Sequence, residues 1–347
     1  MCILLTCANT KEYSLVLASN RDEYFKRPTH EAEMRLVDGV ETISPYDLAR
    51  EERGTWIGIT TTGRLAVLVN YRDPIEVNHR GKVSRGLLPI SYLTCAKPNK
   101  AGKEEASKKV RPSTKVSYGE CSHGVQDWPD DFIQKELKSI GGFSLMYGQL
   151  SMGDDGRICP LSVFTNRSTK RTKVFVDADQ FGLSNSHFFE PWPKVIEGQQ
   201  ELSNLMKAYD ASEFSLGENM SRDHARHETL IDEIFKILSI DRIHPNLRTD
   251  YISAFEHFPE SIFIPPIETP YYHDPNNIDN PVAGDYYGTR TQTIILVDRK
   301  GNVEYIEKTL HSRDQEEIEK NPIRRFNFRI DGFVRCHSSC TVSSGSE

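Results

Sequence analysis

The chain has 347 residues and a formal net charge of -7. That length accommodates one large or two ordinary domains with a sizeable core, and the acidic balance argues against a nucleic-acid partner, which asks for a basic face. Seven cysteines, odd in number and widely spaced, read as thiols of a reducing compartment rather than as a disulfide scaffold. The apolar start is too short for a secretory signal, since it ends at Asn9 with Lys11 and Glu12 close behind. No stretch reaches the about 18 apolar residues of a membrane span, so the chain reads as intracellular and soluble.

The first two apolar runs, 2–8 and 13–19 ("YSLVLAS"), read as strands joined by a polar turn. A second pair follows at 56–60 ("WIGIT") and 64–70 ("RLAVLVN"), with Gly63 in the turn. Apolar runs this short, without clean alternation, predict strands covered on both faces. A helix is expected over 86–95. The insertion at about 96–127 dilutes its lysines with Gly, Pro, Ser and Glu and reads as a solvated loop. Strands resume at 143–150, 161–166 and 173–177. Helices are expected over 193–209, behind Pro191 and Pro193, and over 221–239, with Ser221 as N-cap. The Pro-rich stretch 259–285 is too long for an ordinary connection and reads as a functional loop or lid. Strands at 290–297 and 303–309 flank the turn "DRKGN", and "RRFNFRI" is a last strand before a polar tail, 336–347. Nothing in the composition splits the chain, so 1–335 reads as a single α+β domain of layered sheets with helices outside.

Chemistry concentrates at the N-terminus. Cys2 is either a strand residue that happens to come early or a nucleophile. A small side chain behind the initiator favours removal of methionine, leaving Cys2 with a thiol and its own α-amine as base. "SNRDE" then sets Asn20, Arg21, Asp22 and Glu23 at the end of the neighbouring strand. Arg21 there would lower a thiol pKa and Asp22 would hold an ammonium group; the plainer reading is a salt-bridged turn. "HARH" (His224, His227) lacks a third ligand and reads as a surface helix face. "CHSSC" (Cys336, His337, Cys340) lacks the second ligand pair of a zinc site. Trp56 and Trp192 read as core anchors. With no phosphate loop or dinucleotide fingerprint, neither a metal nor a cofactor is expected.

In order along the chain, "MCILL", "SNRDE", "GTWIGIT", "LAVLVNYRDP", "RGLLP", "FGLSNS", "PWPK" and "YYGTRTQTIILVD" resemble the NRDE proteins, also called the transport and Golgi organisation protein 2 family, over about residues 1–310. The resemblance implies the αββα sandwich of the N-terminal-nucleophile hydrolases, near their bile-salt and penicillin-V amidase branch. Carried over residue by residue, it implies Cys2 as nucleophile and Arg21 with Asp22 as the pair near the thiol. Glu23 is the alternative acid, because the spacing within "NRDE" is not that of the amidases. Asn70 and Asn185 match two site asparagines, Asn70 as a side-chain donor to an oxyanion, worth about 3 kcal/mol of barrier. Arg290 matches a second arginine that orients Asn185 and the carboxylates. The functions implied are Golgi organisation and protein secretion, with an acyl lipid or haem as cargo in the pocket. The alternative is a cysteine amidohydrolase cutting a C–N amide bond through Cys2. The implied compartments are the cytoplasm, the Golgi surface as a peripheral site, and the mitochondrion.

Overall fold

A computed structural model describes residues 2–72, 83–94, 140–167, 173–176, 179–211, 220–249, 251–269, 284–333 and 335–336. The insertion at 96–127, most of the Pro-rich stretch and the tail beyond residue 336 lie outside them. Strands in chain order are Cys2–Ala8 (β1), Tyr13–Tyr24 (β2), Thr29–Val37 (β3), Val40–Asp47 (β4), Ile57–Thr60 (β5) and Arg64–Asn70 (β6). Then come Phe143–Gln149 (β7), Met152–Gly153 (β8), Leu161–Thr165 (β9), Lys173–Val176 (β10) and Gln180–Leu183 (β11). The last are Ile267–Glu268 (β12), Tyr286–Asp298 (β13), Asn302–Thr309 (β14), Arg324–Arg329 (β15) and Arg335–Cys336 (β16). The helices are Leu87–Thr94 (α1), Pro193–Ala211 (α2), Met220–Leu238 (α3) and Tyr251–His257 (α4).

Two antiparallel sheets form the middle of the molecule. One runs β11-β1-β2-β13-β14-β15, with β12 also on β13; the other runs β10-β9-β7-β6-β5-β4-β3. Strand alternation sorts the apolar residues into three layers. Leu4, Leu15, Leu17, Ile295 and Val297 of the first sheet meet Ile57, Ile59, Val67, Val69 and Met146 of the second. On the outer face of the first sheet, Ile3, Leu5, Val16 and Ile294 meet Val195 and Leu202 of α2 and Leu230, Ile231 and Ile234 of α3. On the outer face of the second, Ala66, Leu68 and Leu145 meet Leu88, Tyr92 and Leu93 of α1. The order is the αββα expected.

Local sequence explains the outer helices. Pro193 opens α2 at a position where the missing N–H costs nothing. Gly198 lets α2 approach β1, since a Cβ there would stand 2.6 Å from Leu5 Cδ1. In α3, Leu230, Ile231, Ile234, Phe235 and Leu238 make one apolar stripe facing the sheet.

Two expectations are corrected. β2 does not stop at residue 19 but continues through "NRDE", because β13 pairs with it as far as Tyr24. A further hairpin, β3–β4, turns through Asp38 and Gly39, both at positive φ, the geometry of a two-residue hairpin loop.

Candidate active site

Cys2 opens β1 and faces the inter-sheet layer with Leu4. Arg21 is its direct cross-strand partner on β2, so the two side chains share one face. The Arg21 guanidinium lies 4.0 Å from the centroid of the Trp56 ring and 3.6 Å from Glu23. Its Nη1 has no hydrogen-bond partner. Asp22, the next residue, turns to the helix side. Its Oδ1 accepts from Thr289 Oγ1 at 2.7 Å, and its main-chain carbonyl accepts from the Tyr287 hydroxyl at 3.2 Å.

Asn185, just past β11 and buried, ties the layers together. Its Oδ1 accepts the Cys2 main-chain N–H at 2.8 Å, and its Nδ2 donates to the Asn70 carbonyl at 2.5 Å. Its own carbonyl accepts the Arg72 N–H at 2.8 Å. The neighbouring Ser184 hydroxyl donates to the Cys2 carbonyl at 2.8 Å. One loop thus holds both polar groups of the Cys2 main chain.

Burial is the largest influence on the ionisable groups. It pushes the Cys2 thiol up, aided by the Asp22 carboxylate and opposed by the Asp22 N–H and Arg21. It likewise raises Asp22, against the pull of Lys194, Thr289 and Arg21. Burial also works against charge on Glu23, but Arg27 and Arg21 outweigh it and hold that carboxyl below its usual range. Arg27 is itself fixed by Asp47 at 2.6 Å. Of the two acids considered, Asp22 acts on the thiol, while Glu23 serves the arginines.

The structure brings Cys2, Arg21, Asp22 and Asn185 together. Asn70 joins them through its carbonyl. Its place in β6 is in phase with Ala66 and Leu68, which pack under α1, so its side chain turns from the layer that holds Cys2. Arg290 stands beside Arg21 and Glu23. It is the extra residue at a register shift, where Thr289 pairs with Asp22 and Thr291 with Arg21. Its guanidinium donates to the main-chain carbonyls of His311 at 2.8 Å, Ser312 at 3.4 Å and Arg27. These are its bonds, rather than one to Asn185, and they brace the end of β2. Burial and the nearby Arg21 depress its pKa to about 10.

Four residues escape the sequence reading. Ser184 and Thr289 are polar neighbours in motifs already quoted, "LSNS" and "GTRTQ". Arg72 stacks on Phe255, 3.8 Å from the ring centroid, and lies 5.9 Å from Trp192. Lys194, in "PWPK", is fully buried and is held down by burial against the pull of Asp22 and Cys2. A lysine in the first turn of a helix gives no sequence sign that it points inward. Trp56 packs against the inter-sheet core as expected, half-buried beneath the Arg21 guanidinium, while Trp192 is half-buried beside Arg72. His227 joins Tyr13 and Glu304, at 3.0 and 2.5 Å, while His224 is exposed. Among the described residues no cluster of His, Cys, Asp or Glu is placed to hold a metal ion, and no helix is long and apolar enough to cross a membrane.

Comparison with known proteins places the chain. Among solved structures it is similar to a variant of conjugated bile acid hydrolase from Clostridium perfringens, with a TM-score of 0.36 and 10% identity over 97% of this chain and 99% of that one. It is 29% identical to an uncharacterised protein of Saccharomyces cerevisiae, covering 95% of this chain and 100% of the relative. It is 29% identical to the Transport and Golgi organization protein 2 homolog of Bos taurus, over 87% of this chain and 88% of the relative. The family model described as Transport and Golgi organisation 2 matches residues 1–312, and the chain belongs to that family.

Proposed function

We propose that this chain serves transport and Golgi organisation, the process in its relatives' names, through a small-molecule site whose reacting group is the Cys2 thiol. The observation that carries the reading is the Cys2 N–H held by Asn185 Oδ1, with Arg21 across the strand on the thiol's own face. Once Met1 is removed, that nitrogen is an α-amine. Asn185 then orients its lone pair toward the thiol of the same residue. The amine takes the thiol proton as sulfur attacks the carbonyl carbon of an amide. The unpartnered Arg21 Nη1 is the donor available to the developing oxyanion. The C–N bond breaks, the proton passes to the leaving amine, and water hydrolyses the thioester to return the thiol. Burial keeps the resting thiol neutral, so proton transfer accompanies attack.

A second reading is a carrier that binds an amphipathic cargo, an acyl lipid or haem, without cleaving it. The neutral thiol favours it, as do the Trp192 and Phe255 rings that flank Arg72. The test is complementation of a null strain with Cys2→Ala, read as secretion at matched protein levels. Intact mass of the purified chain is recorded alongside. The nucleophile reading expects a processed N-terminus and no rescue. Rescue by Cys2→Ala, or a retained Met1, overturns it in favour of the carrier.

A further inference from the structure

Lys194 stands out among the buried polar groups. It is the second residue of α2, with none of its surface exposed, and its Nζ has no hydrogen-bond partner. No carboxylate forms an ion pair with it among the described residues. A buried ammonium without acceptors is costly, and native chains seldom leave one so. The charged groups that act on it are Asp22 and Cys2, which favour its charge, and Arg72, which opposes it. Both cations lie against one ring: Lys194 Nζ is 5.7 Å and the Arg72 guanidinium 5.9 Å from the Trp192 centroid. Arg72 spends one hydrogen bond, at 3.3 Å, on the Phe255 carbonyl and forms no ion pair among the described residues. Asp22 is already the acceptor for Thr289, and Glu23 is shared by Arg21 and Arg27. Lys194 and Arg72 are thus two cations without an ion pair among the described residues, with Asp22 the carboxylate acting on the first and Glu256 on the second.

We infer that Lys194 and Arg72, set against the Trp192 ring, form the seat for an anionic head group, a carboxylate or a phosphate, on the compound that reaches Cys2. The inference rests on the Cys2-centred site proposed above and adds the charge of its ligand. The cations supply the acceptor's partners, and Trp192 and Phe255 give an apolar wall beside them.

The test compares alkylation of Cys2 by iodoacetate, an anion, and by neutral iodoacetamide, followed by peptide mass spectrometry. The expected ratio of the two rates is at least tenfold above that of glutathione under the same conditions. Lys194→Met and Arg72→Gln should each lower it at least threefold. Arg72 is half-buried, so its variant folds even where Lys194→Met does not. Suppression of the iodoacetate reaction by inorganic phosphate identifies a phosphate head, and suppression by decanoate alone a carboxylate. A ratio equal to that of glutathione, unmoved by either variant, overturns the inference. If neither reagent labels Cys2, the nucleophile reading fails, and the anion seat is decided by melting. Decanoate should then raise the melting temperature above the effect of decanol, and Arg72→Gln should remove the difference. Equal effects of decanoate and decanol overturn it.

Discussion

Glu307 and His311 titrate in opposite senses, and their effects on stability should hide each other. Glu307 is buried between the sheets, where it accepts the Ala32 N–H at 2.6 Å and the Tyr305 hydroxyl at 3.3 Å. Burial pushes its pKa from 4.5 up to about 7. Between those values the unfolded chain loses the proton and the folded chain keeps it. Stability therefore falls as pH rises, by about 3 kcal/mol across the window. His311, buried and stacked 4.0 Å from the Phe25 ring, is lowered by burial from 6.5 to about 4. As pH falls through that range the unfolded chain takes up a proton that the folded chain refuses, and about 3 kcal/mol is lost toward acid. Between pH 4.5 and 6.5 the two slopes cancel. Glu307→Gln removes one of them and keeps an acceptor for Ala32. Urea unfolding of both proteins from pH 4 to 8 should give a difference curve that rises by about 3 kcal/mol from pH 4.5 to 7. The variant alone should show the acid loss belonging to His311. Parallel profiles would refute the reasoning. The slope is decisive rather than the level, because the added amide N–H costs about 1–3 kcal/mol of its own if it finds no acceptor.

Two further outcomes follow from the hydrogen bonds described. Asn185→Ala leaves the Cys2 N–H and the Asn70 carbonyl without partners and should cost about 2–4 kcal/mol in urea unfolding; a loss below about 0.5 kcal/mol would mean that the loop does not tie the sheets. Arg290→Ala should destabilise as much as Ile295→Ala, which opens a cavity between the sheets at about 2–5 kcal/mol. Melting of the two variants side by side checks this, and a near-native melt for Arg290→Ala would return that residue to the reacting group.

The layers were legible because burial writes itself into strand-sized apolar runs such as "RLAVLVN" and into the stripe of α3. The hairpin β3–β4 was not. In β3 the exposed positions are the apolar Met34 and Leu36, while Glu33 and Arg35 are half-buried, so polarity there does not track burial, although "DG" between Val37 and Val40 was a usable turn signal. In the site, Cys2, Arg21 and Asp22 were readable from adjacency on neighbouring strands. The parts set by distant pairing were not. The turn of Asn70 toward α1 follows from strand phase, the braced carbonyls around Arg290 from a bulge, and the inward aim of Lys194 from the packing of α2 on the first sheet.

The sheet order has a consequence for synthesis. β1 and β2 are made first, yet their outer neighbours are β11 and β13, and contacts of the site span 183 residues at Asn185 and 267 at Thr289. At the usual elongation rate of about 5–20 residues per second, the "NRDE" edge waits on the order of tens of seconds for its partner strand. During that time an apolar hairpin with an open edge is exposed at the ribosome, a template for mispairing. The Cys2 thiol thus gains its full surroundings only when the last third of the chain arrives, and recovery of Cys2 protection in refolding should track that final closure rather than the formation of the first hairpin.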